Sequence, residues 1–342
     1  MCTCASVTPL PLCIRAHPSF QDLCNMHTRR GVLLAHLHTS DVTKWRNALK
    51  DRLNVDRLMA DWQQLGARSG RMSCKNPPLQ GLPNDGLVRH CIEAPEGKKI
   101  ISSDLSKIEV KVWAAVSDDP VLIEEFKQGG DTYRKLAARV LGKAEENEVT
   151  DAERESFKQI ILGRIFGMGI VAVTNKIRKI TADPKFPKSR VEKYLRDLEN
   201  TYQKAKEWRE NQETSNPAQV TATRTERGRI RRNVSNNRQR WNSPIQGLAA
   251  DTFKAIVAEV QAQILEPYDD VELIGLVHDE VLLLAPDGVA EEVAALLQKI
   301  MRTVGDAVVN AEKPEKLRVP IDSETWVAQN LGDKKKGVKL AT

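Results

Sequence analysis

The sequence predicts an α+β fold, on three observations. Residues 98–104 (KKIISSD) have strand composition and end on a carboxylate. Residues 271–284 (VELIGLVHDEVLLL) read as two apolar strands around a polar turn, a β-hairpin. Between them, residues 121–213 carry a mainly helical pattern with one loop at 181–187 (TADPKFP). Strands on either side of a long helical insert imply a sheet with its helices set apart from it.

The remaining elements follow in chain order. Residues 1–40 read as an irregular leader. It holds Cys2, Cys4, Cys13 and Cys24 with His17, His27, His36 and His38, at spacings that match no compact zinc pattern. Asp41 is placed to cap a helix running to about Leu65, with Trp45, Leu49, Leu53, Leu58 and Trp62 roughly on one face. A helical stretch, IEVKVWAAVSDD, comes after the first strand. A helix is expected at about 243–265. Another is expected at about 289–304, where Val289, Val293, Leu296, Leu297, Ile300, Met301 and Val304 recur at helical spacing. The tail DKKKGVK reads as solvated chain.

Composition narrows the function classes. At 342 residues and 41% hydrophobic, the chain can build one large domain or two to three small ones. Net charge is +6, which favours a polyanionic partner without choosing one. No run approaches the roughly 18 apolar residues of a membrane span. Pro9 and Pro11 interrupt the short apolar stretch near the N-terminus, so no signal peptide is expected. Six cysteines spread over this length argue against a disulfide framework. The expected localisation is cytoplasmic.

Three segments carry chemistry. Asp104 ends the first strand, and Asp279 and Glu280 sit in the hairpin turn, so carboxylates project from rigid elements. Two such aspartates on neighbouring strands suit a pair of hard cations about 4 Å apart. In RESFKQIILGRIFGMG, residues Arg154, Lys158, Leu162 and Phe166 recur every four positions and form one stripe. Its cationic end fits a triphosphate and its apolar end a nucleobase, with Gly163 and Gly167 leaving room for close approach. Residues 223–240 hold seven arginines, Arg224, Arg227, Arg229, Arg231, Arg232, Arg238 and Arg240, against one Glu226. Arginine forks suit phosphate oxygens. Asn242 and Gln246 follow on the face of Arg238, where their amides can reach base edges or sugars. Taken singly, each feature also has a plain structural explanation: a turn-forming Asp, a surface helix, a solvated charge run.

The order of these segments resembles that of family A (DNA polymerase I-like) DNA polymerases of the phage or bacterial type. SGRMSCKNPPLQGLP (69–83) is similar to the family's TGRLSS…LQNIP stretch, and SSDLSKIEVKVWAAVSDD (102–119) resembles motif A. RESFKQIILGRIFGMG looks like motif B with its R-x3-K spacing. RQRWNSPIQGLAADTFK (238–254) resembles the R-x3-N-x-P-x-Q-G-x-A-A-D segment, LVHDEV (276–281) motif C, and PIDSETW (320–326) the terminal strand.

The resemblance implies a right-hand polymerase, with an antiparallel palm sheet, a helical fingers subdomain and a truncated thumb. The implied segments are a leader at 1–40, a lead-in helix or thumb remnant at 41–67, palm at 68–120 and 223–328, fingers at 121–222, and a basic tail at 329–342. It also implies roles. Asp104 and Asp279 bind two Mg²⁺ ions, and Glu280 supports them. Glu109 is the steric gate against a ribose 2′-hydroxyl. Arg154 and Lys158 hold the incoming triphosphate, with Tyr133 nearby, and Leu162 and Phe166 face its base and sugar. Arg71, Arg238, Asn242 and Gln246 contact primer–template DNA, joined by Arg229, Arg231 and Arg232, and His278 lies beside the primer terminus. The implied reaction is template-directed addition of a deoxynucleoside triphosphate to a primer 3′-hydroxyl, releasing pyrophosphate.

The sequence departs from the family pattern in places. Leu162 stands where Phe or Tyr is usual, Phe166 where Tyr is usual, Lys107 where Gln is common and Tyr133 where many members have His. About 65 residues precede the match, too few for a full thumb. The grip on DNA is therefore expected to be weak, or to be supplied by another replication protein. Two alternatives are a non-catalytic DNA-binding polymerase fragment and a single-subunit RNA polymerase-like enzyme. Glu109 and the Asp279–Glu280 pair favour DNA synthesis.

Overall fold

The computed structural model describes residues 60–333 except 77, 83–86, 91 and 214–221, residues 337–340, and three short strands nearer the N-terminus. Those strands are β1 (Pro11–Cys13), β2 (Leu53–Asn54) and β3 (Arg57–Met59), in the order β1-β3-β2. Apart from Cys13, the leader's cysteines and histidines lie outside the described residues. The helix expected from Asp41 to Leu65 is not what the described part forms. After β3 the chain makes a further strand, β4 (Asp61–Gln63), paired antiparallel with β5 (Ser73–Lys75). Leu58, Ala60 and Trp62 are spaced by two, the period of a strand face. Ala60 and Cys74 join a buried cluster against which Trp62 packs. Burial on that face outweighs the looser helical spacing.

The chain divides into two compact units. The first comprises residues 1–106, 253–305 and 322–342, and the second 107–252 and 306–321. The second unit thus begins before the expected boundary at 121. It also takes in the arginine-rich segment, which the sequence reading assigned to the palm.

The first unit is built on a five-stranded antiparallel sheet. Its strands are β6 (Lys98–Leu105), β9 (Glu272–Val277), β10 (Glu280–Pro286), β11 (Ser323–Ala328) and β12 (Val338–Lys339), ordered β12-β11-β6-β10-β9. The labels β7 and β8 belong to the second unit: Ala222–Arg224 and Ile230–Arg232. Strand β10 is buried along nearly its whole length. That burial on both faces explains why LIGLV and EVLLLA read as continuous apolar runs rather than alternating ones. One core cluster joins Leu79, Leu82, Ile92, Ile100, Ile274, Leu282 and Leu284. Gln80 fastens the preceding segment to the sheet by donating to the Leu276 carbonyl at 3.1 Å. The tail expected to be solvated supplies β12, whose Val338 and Lys339 register with Val327 and Trp326.

The second unit is helical. Its helices are α1 (Ile108–Ser117), α2 (Pro120–Lys127), α3 (Thr132–Leu141), α4 (Asp151–Ile165), α5 (Ile170–Ile180), α6 (Lys188–Thr201) and α7 (Gln203–Gln212). Helix α8 (Asn237–Val260) begins six residues before its expected start and carries Pro244 inside it, and α9 (Ala290–Val309) follows. Both run across the division in the chain. Local chemistry sets the starts. Asp119 accepts hydrogen bonds from the Val121 and Leu122 amides, with Pro120 in the first turn. Thr150 and Glu153 form a reciprocal capping box at α4. The arginine-rich segment, expected only as a basic run, folds into the β7–β8 hairpin. No helix among the described residues is long and apolar enough to cross a membrane.

Candidate active site

In the first unit, sheet register brings the carboxylates together. Asp104 pairs with Glu280 on β10 and with Glu324 on β11, so three acidic residues stand in one row across the sheet. Directly opposed like charges repel. Glu280 is buried and accepts a hydrogen bond from Ser102 Oγ, while Lys339 Nζ lies 3.4 Å from Glu324. Within that row Asp104 and Glu324 are exposed, each in a largely buried strand, and Glu280 is buried. Asp279 occupies the two-residue loop joining β9 to β10, and its carbonyl accepts the Leu105 amide at 3.2 Å. His278, the other loop residue, is exposed at φ 57°. A side chain at positive φ in a hairpin loop is tolerated best by Asn, Asp or His.

Burial pushes the Asp279 carboxyl above its ordinary pKa. Arg71 and His278 pull the other way but only partly offset it. Arg71 Nη2 lies 3.8 Å from Asp279 Oδ2. The sequence reading put Arg71 on DNA, whereas here its charge faces a carboxylate. Among the described residues, no three or more His, Cys, Asp or Glu side chains converge as a metal cage. Two hard oxygen donors, one exposed and one half-buried beside a positive charge, suit a cation that completes its shell with water and phosphate oxygens.

The second unit holds the stripe. Arg154, Lys158, Leu162 and Phe166 are all half-buried along α4 and its end. Arg154 Nε donates to Asp131 Oδ2, and Lys158 Nζ lies 3.4 Å from Glu155 Oε2. Tyr133 is buried, and burial drives its hydroxyl pKa strongly upward. Arg154 and Lys107 flank its ring, at 5.6 and 5.5 Å from the centroid. Glu109 is the one residue of α1 that is not buried. A Cβ on Gly167, at φ +63°, would lie 2.7 Å from Arg238 Cγ and 2.8 Å from the Trp241 ring. The end of α4 therefore packs directly on the first turns of α8. Asn242 and Gln246 lie half-buried farther along α8, and Asn242 Oδ1 is buried with no hydrogen-bond partner.

The arginines divide into two kinds. Arg229 donates from Nε and Nη2 to Asp251, and Arg231 donates to Ser243 Oγ at 2.7 Å. Arg227 bonds the carbonyls of Val308 and Ala311, and Arg240 is buried. Arg224, Arg232 and Arg238 are exposed. The guanidinium groups of Arg229 and Arg231, expected on DNA, are engaged with Asp251 and Ser243 in this structure.

Comparison with known proteins accounts for this arrangement of motifs. The family model described as DNA polymerase family A matches residues 20–333. The chain belongs to DNA polymerase family A. DNA polymerase I of Aquifex aeolicus is 31% identical over 281 residues, covering 82% of this chain and 47% of that protein. The Deinococcus radiodurans DNA polymerase I is 28% identical over 297 residues, covering 82% of this chain and 29% of its own. The chain thus spans about half or less of the length of these relatives. The POL domain of Pol1 from M. smegmatis, solved with DNA primer-template and dNTP, superposes with a TM-score of 0.73 at 21% identity. That alignment covers 86% of this chain and 52% of the other, and it shows a shared family A polymerase fold.

Of the residues expected in the site, the structure gathers Asp104, Asp279, Glu280, His278 and Arg71 in the first unit. It gathers Arg154, Lys158 and Tyr133 in the second. Sequence reasoning missed Asp131, Glu155, Ser102 and Asp251. Asp131 carried a readable signal as an N-cap ahead of α3. The other three mattered only once their partners were known.

Proposed function

We propose that this chain is the catalytic core of a template-directed DNA polymerase. It would add deoxynucleotides to a primer 3′-hydroxyl and release pyrophosphate. The observation that carries this reading is the register pairing of Asp104 with Glu280, next to Asp279 in a tight two-residue turn. Asp104 and Asp279 would hold a pair of Mg²⁺ ions, which lower the charge on the reacting phosphate and activate the primer hydroxyl when bound. Asp279 is an anion made costly by burial, so a cation there repays the desolvation. Arg71 supplies part of that compensation in the present arrangement.

The chain's own residues do the rest by positioning. Arg154 and Lys158 grip the triphosphate, and Tyr133 braces Arg154. Leu162 and Phe166 present an apolar face to the base and sugar. Glu109 would stand against a ribose 2′-hydroxyl, in keeping with its being the one half-buried residue of an otherwise buried helix. Arg238, Asn242 and Gln246 would hold the primer–template, with the unpaired Asn242 Oδ1 supporting a polar ligand there. His278 would lie at the primer end.

Primer extension with Mg²⁺ tests the proposal, with Asp104→Ala and Asp279→Asn as controls. Extension by the unaltered chain, lost in both variants while DNA affinity persists, is the expected result. No extension by the unaltered chain despite DNA binding would make it a non-catalytic polymerase fragment.

A further inference from the structure

We propose that Asp131 is a positioning residue for nucleotide binding. Its carboxylate fixes the Arg154 guanidinium and draws Lys107 to the same spot, so that both cations meet the triphosphate together. The inference rests on the polymerase reading above and adds two residues to its triphosphate grip.

Asp131 has two oxygens with separate tasks. Oδ1 caps α3, accepting the Tyr133 amide at 2.9 Å and the Arg134 amide at 3.4 Å. Oδ2 accepts Arg154 Nε. Lys107 Nζ stands 3.9 Å from Oδ1. The two cations also bracket one buried ring, that of Tyr133. Two positive groups on one ring repel unless an anion lies between them, and Asp131 supplies it.

The geometry at Arg154 gives the arrangement a direction. An arginine anchored through Nε keeps its terminal Nη1–Nη2 edge for another partner, and that edge matches two phosphate oxygens. Nη1 lies 4.0 Å from Glu155 Oε2, at the limit of an ion pair. A rigidly held fork loses less rotamer freedom when a phosphate arrives. Lys107 itself sits at φ 54°, a conformation L-residues adopt at a cost. That cost is tolerated where the surroundings fix the residue, as at functional sites.

A plain capping role for Asp131 predicts something different, and Asp131→Asn separates the two. Asn caps helices about as well as Asp, so α3 is retained while the charge is removed. The probe is sodium tripolyphosphate, titrated into the full chain by calorimetry, with thermal unfolding run in parallel. Replacing a charge-assisted hydrogen bond by a neutral one should weaken tripolyphosphate binding about fivefold, with little change in unfolding temperature. Lys107→Met should weaken it by a similar factor. The double variant should lose less than the product of the two, because both act through one cluster. Unchanged or tighter binding in Asp131→Asn, while Arg154→Ala still weakens binding, would overturn the positioning role alone. Binding that survives Arg154→Ala intact would instead overturn the triphosphate site on which it rests.

Discussion

The arginine-rich segment makes the sharpest quantitative prediction, because the structure changes its arithmetic. Seven arginines stand between 223 and 240. If all contacted phosphates, each would contribute roughly 0.9 to the log–log salt slope, and affinity would fall several thousandfold from 50 to 200 mM salt. Arg229 and Arg231 are instead bonded to Asp251 and Ser243, Arg227 to backbone carbonyls, and Arg240 is buried. That leaves Arg224, Arg232 and Arg238 as the exposed arginines outside these contacts, since the likewise exposed Arg227 is tied to backbone carbonyls. Three contacts are worth a slope of about 2.7, or roughly fortyfold over the same salt range. Replacing these three with Gln should reduce the measured slope by about that amount, similarly on unrelated duplex sequences. Arg229→Gln should leave the slope nearly unchanged. It should cost about 2 kcal/mol of stability by stranding the half-buried Asp251. Fluorescence anisotropy across a KCl series reads the slope, and urea denaturation reads the stability. A slope that falls as much for Arg229→Gln as for Arg232→Gln would refute the division of the arginines.

Other consequences follow from single contacts. Gly167→Ala should cost about 1–3 kcal/mol in thermal stability, since its Cβ would meet Arg238 and Trp241 at positive φ; unaltered unfolding would mean that α4 and α8 do not pack this way. Ser102→Ala removes a donor from the buried Glu280 and should destabilise by about 1–3 kcal/mol, with Glu280→Gln in the same background recovering part of the loss. At Asp131, burial works to raise the carboxyl pKa, but the Arg154 hydrogen bond and the nearby Lys107 outweigh it, so it falls below the ordinary 3.8. Its charge therefore contributes stability fully above about pH 3.8, and the contribution is lost as pH falls through the lower folded value. The gap in stability between the unaltered chain and Asp131→Asn is small, matching the slight change in unfolding temperature expected at neutral pH; it should be constant from pH 7 to 5 and shrink below 3.8. A gap that persists unchanged in acid would rule out the charge as its source.

Much of this architecture was already written in local patterns. The strand before Asp104 and the hairpin around Asp279 were legible because apolar runs bounded by polar turns have few other meanings. Helices α2, α3 and α4 announce themselves through Asp119, Asp131 and Thr150, each a cap that acts within three residues of itself. The ordered motifs then carried the family, which the match over residues 20–333 bears out.

What the sequence could not decide were choices settled by partners far along the chain. Residues 53–63 carry both a loose helical and a strand spacing, and burial of Ala60 and Trp62 with Cys74 selects the strand. The basic tail becomes β12 because the edge of β11 offers unpaired backbone groups to Val338 and Lys339. Which arginines face solvent depends on Asp251 and Ser243, and where Arg71 points depends on Asp279. Periodicity and capping act over a few residues, so the sequence by itself determined the elements and the chemical groups they carry. Charge pairing and burial act through space, and only the tertiary structure decided which of those groups meet.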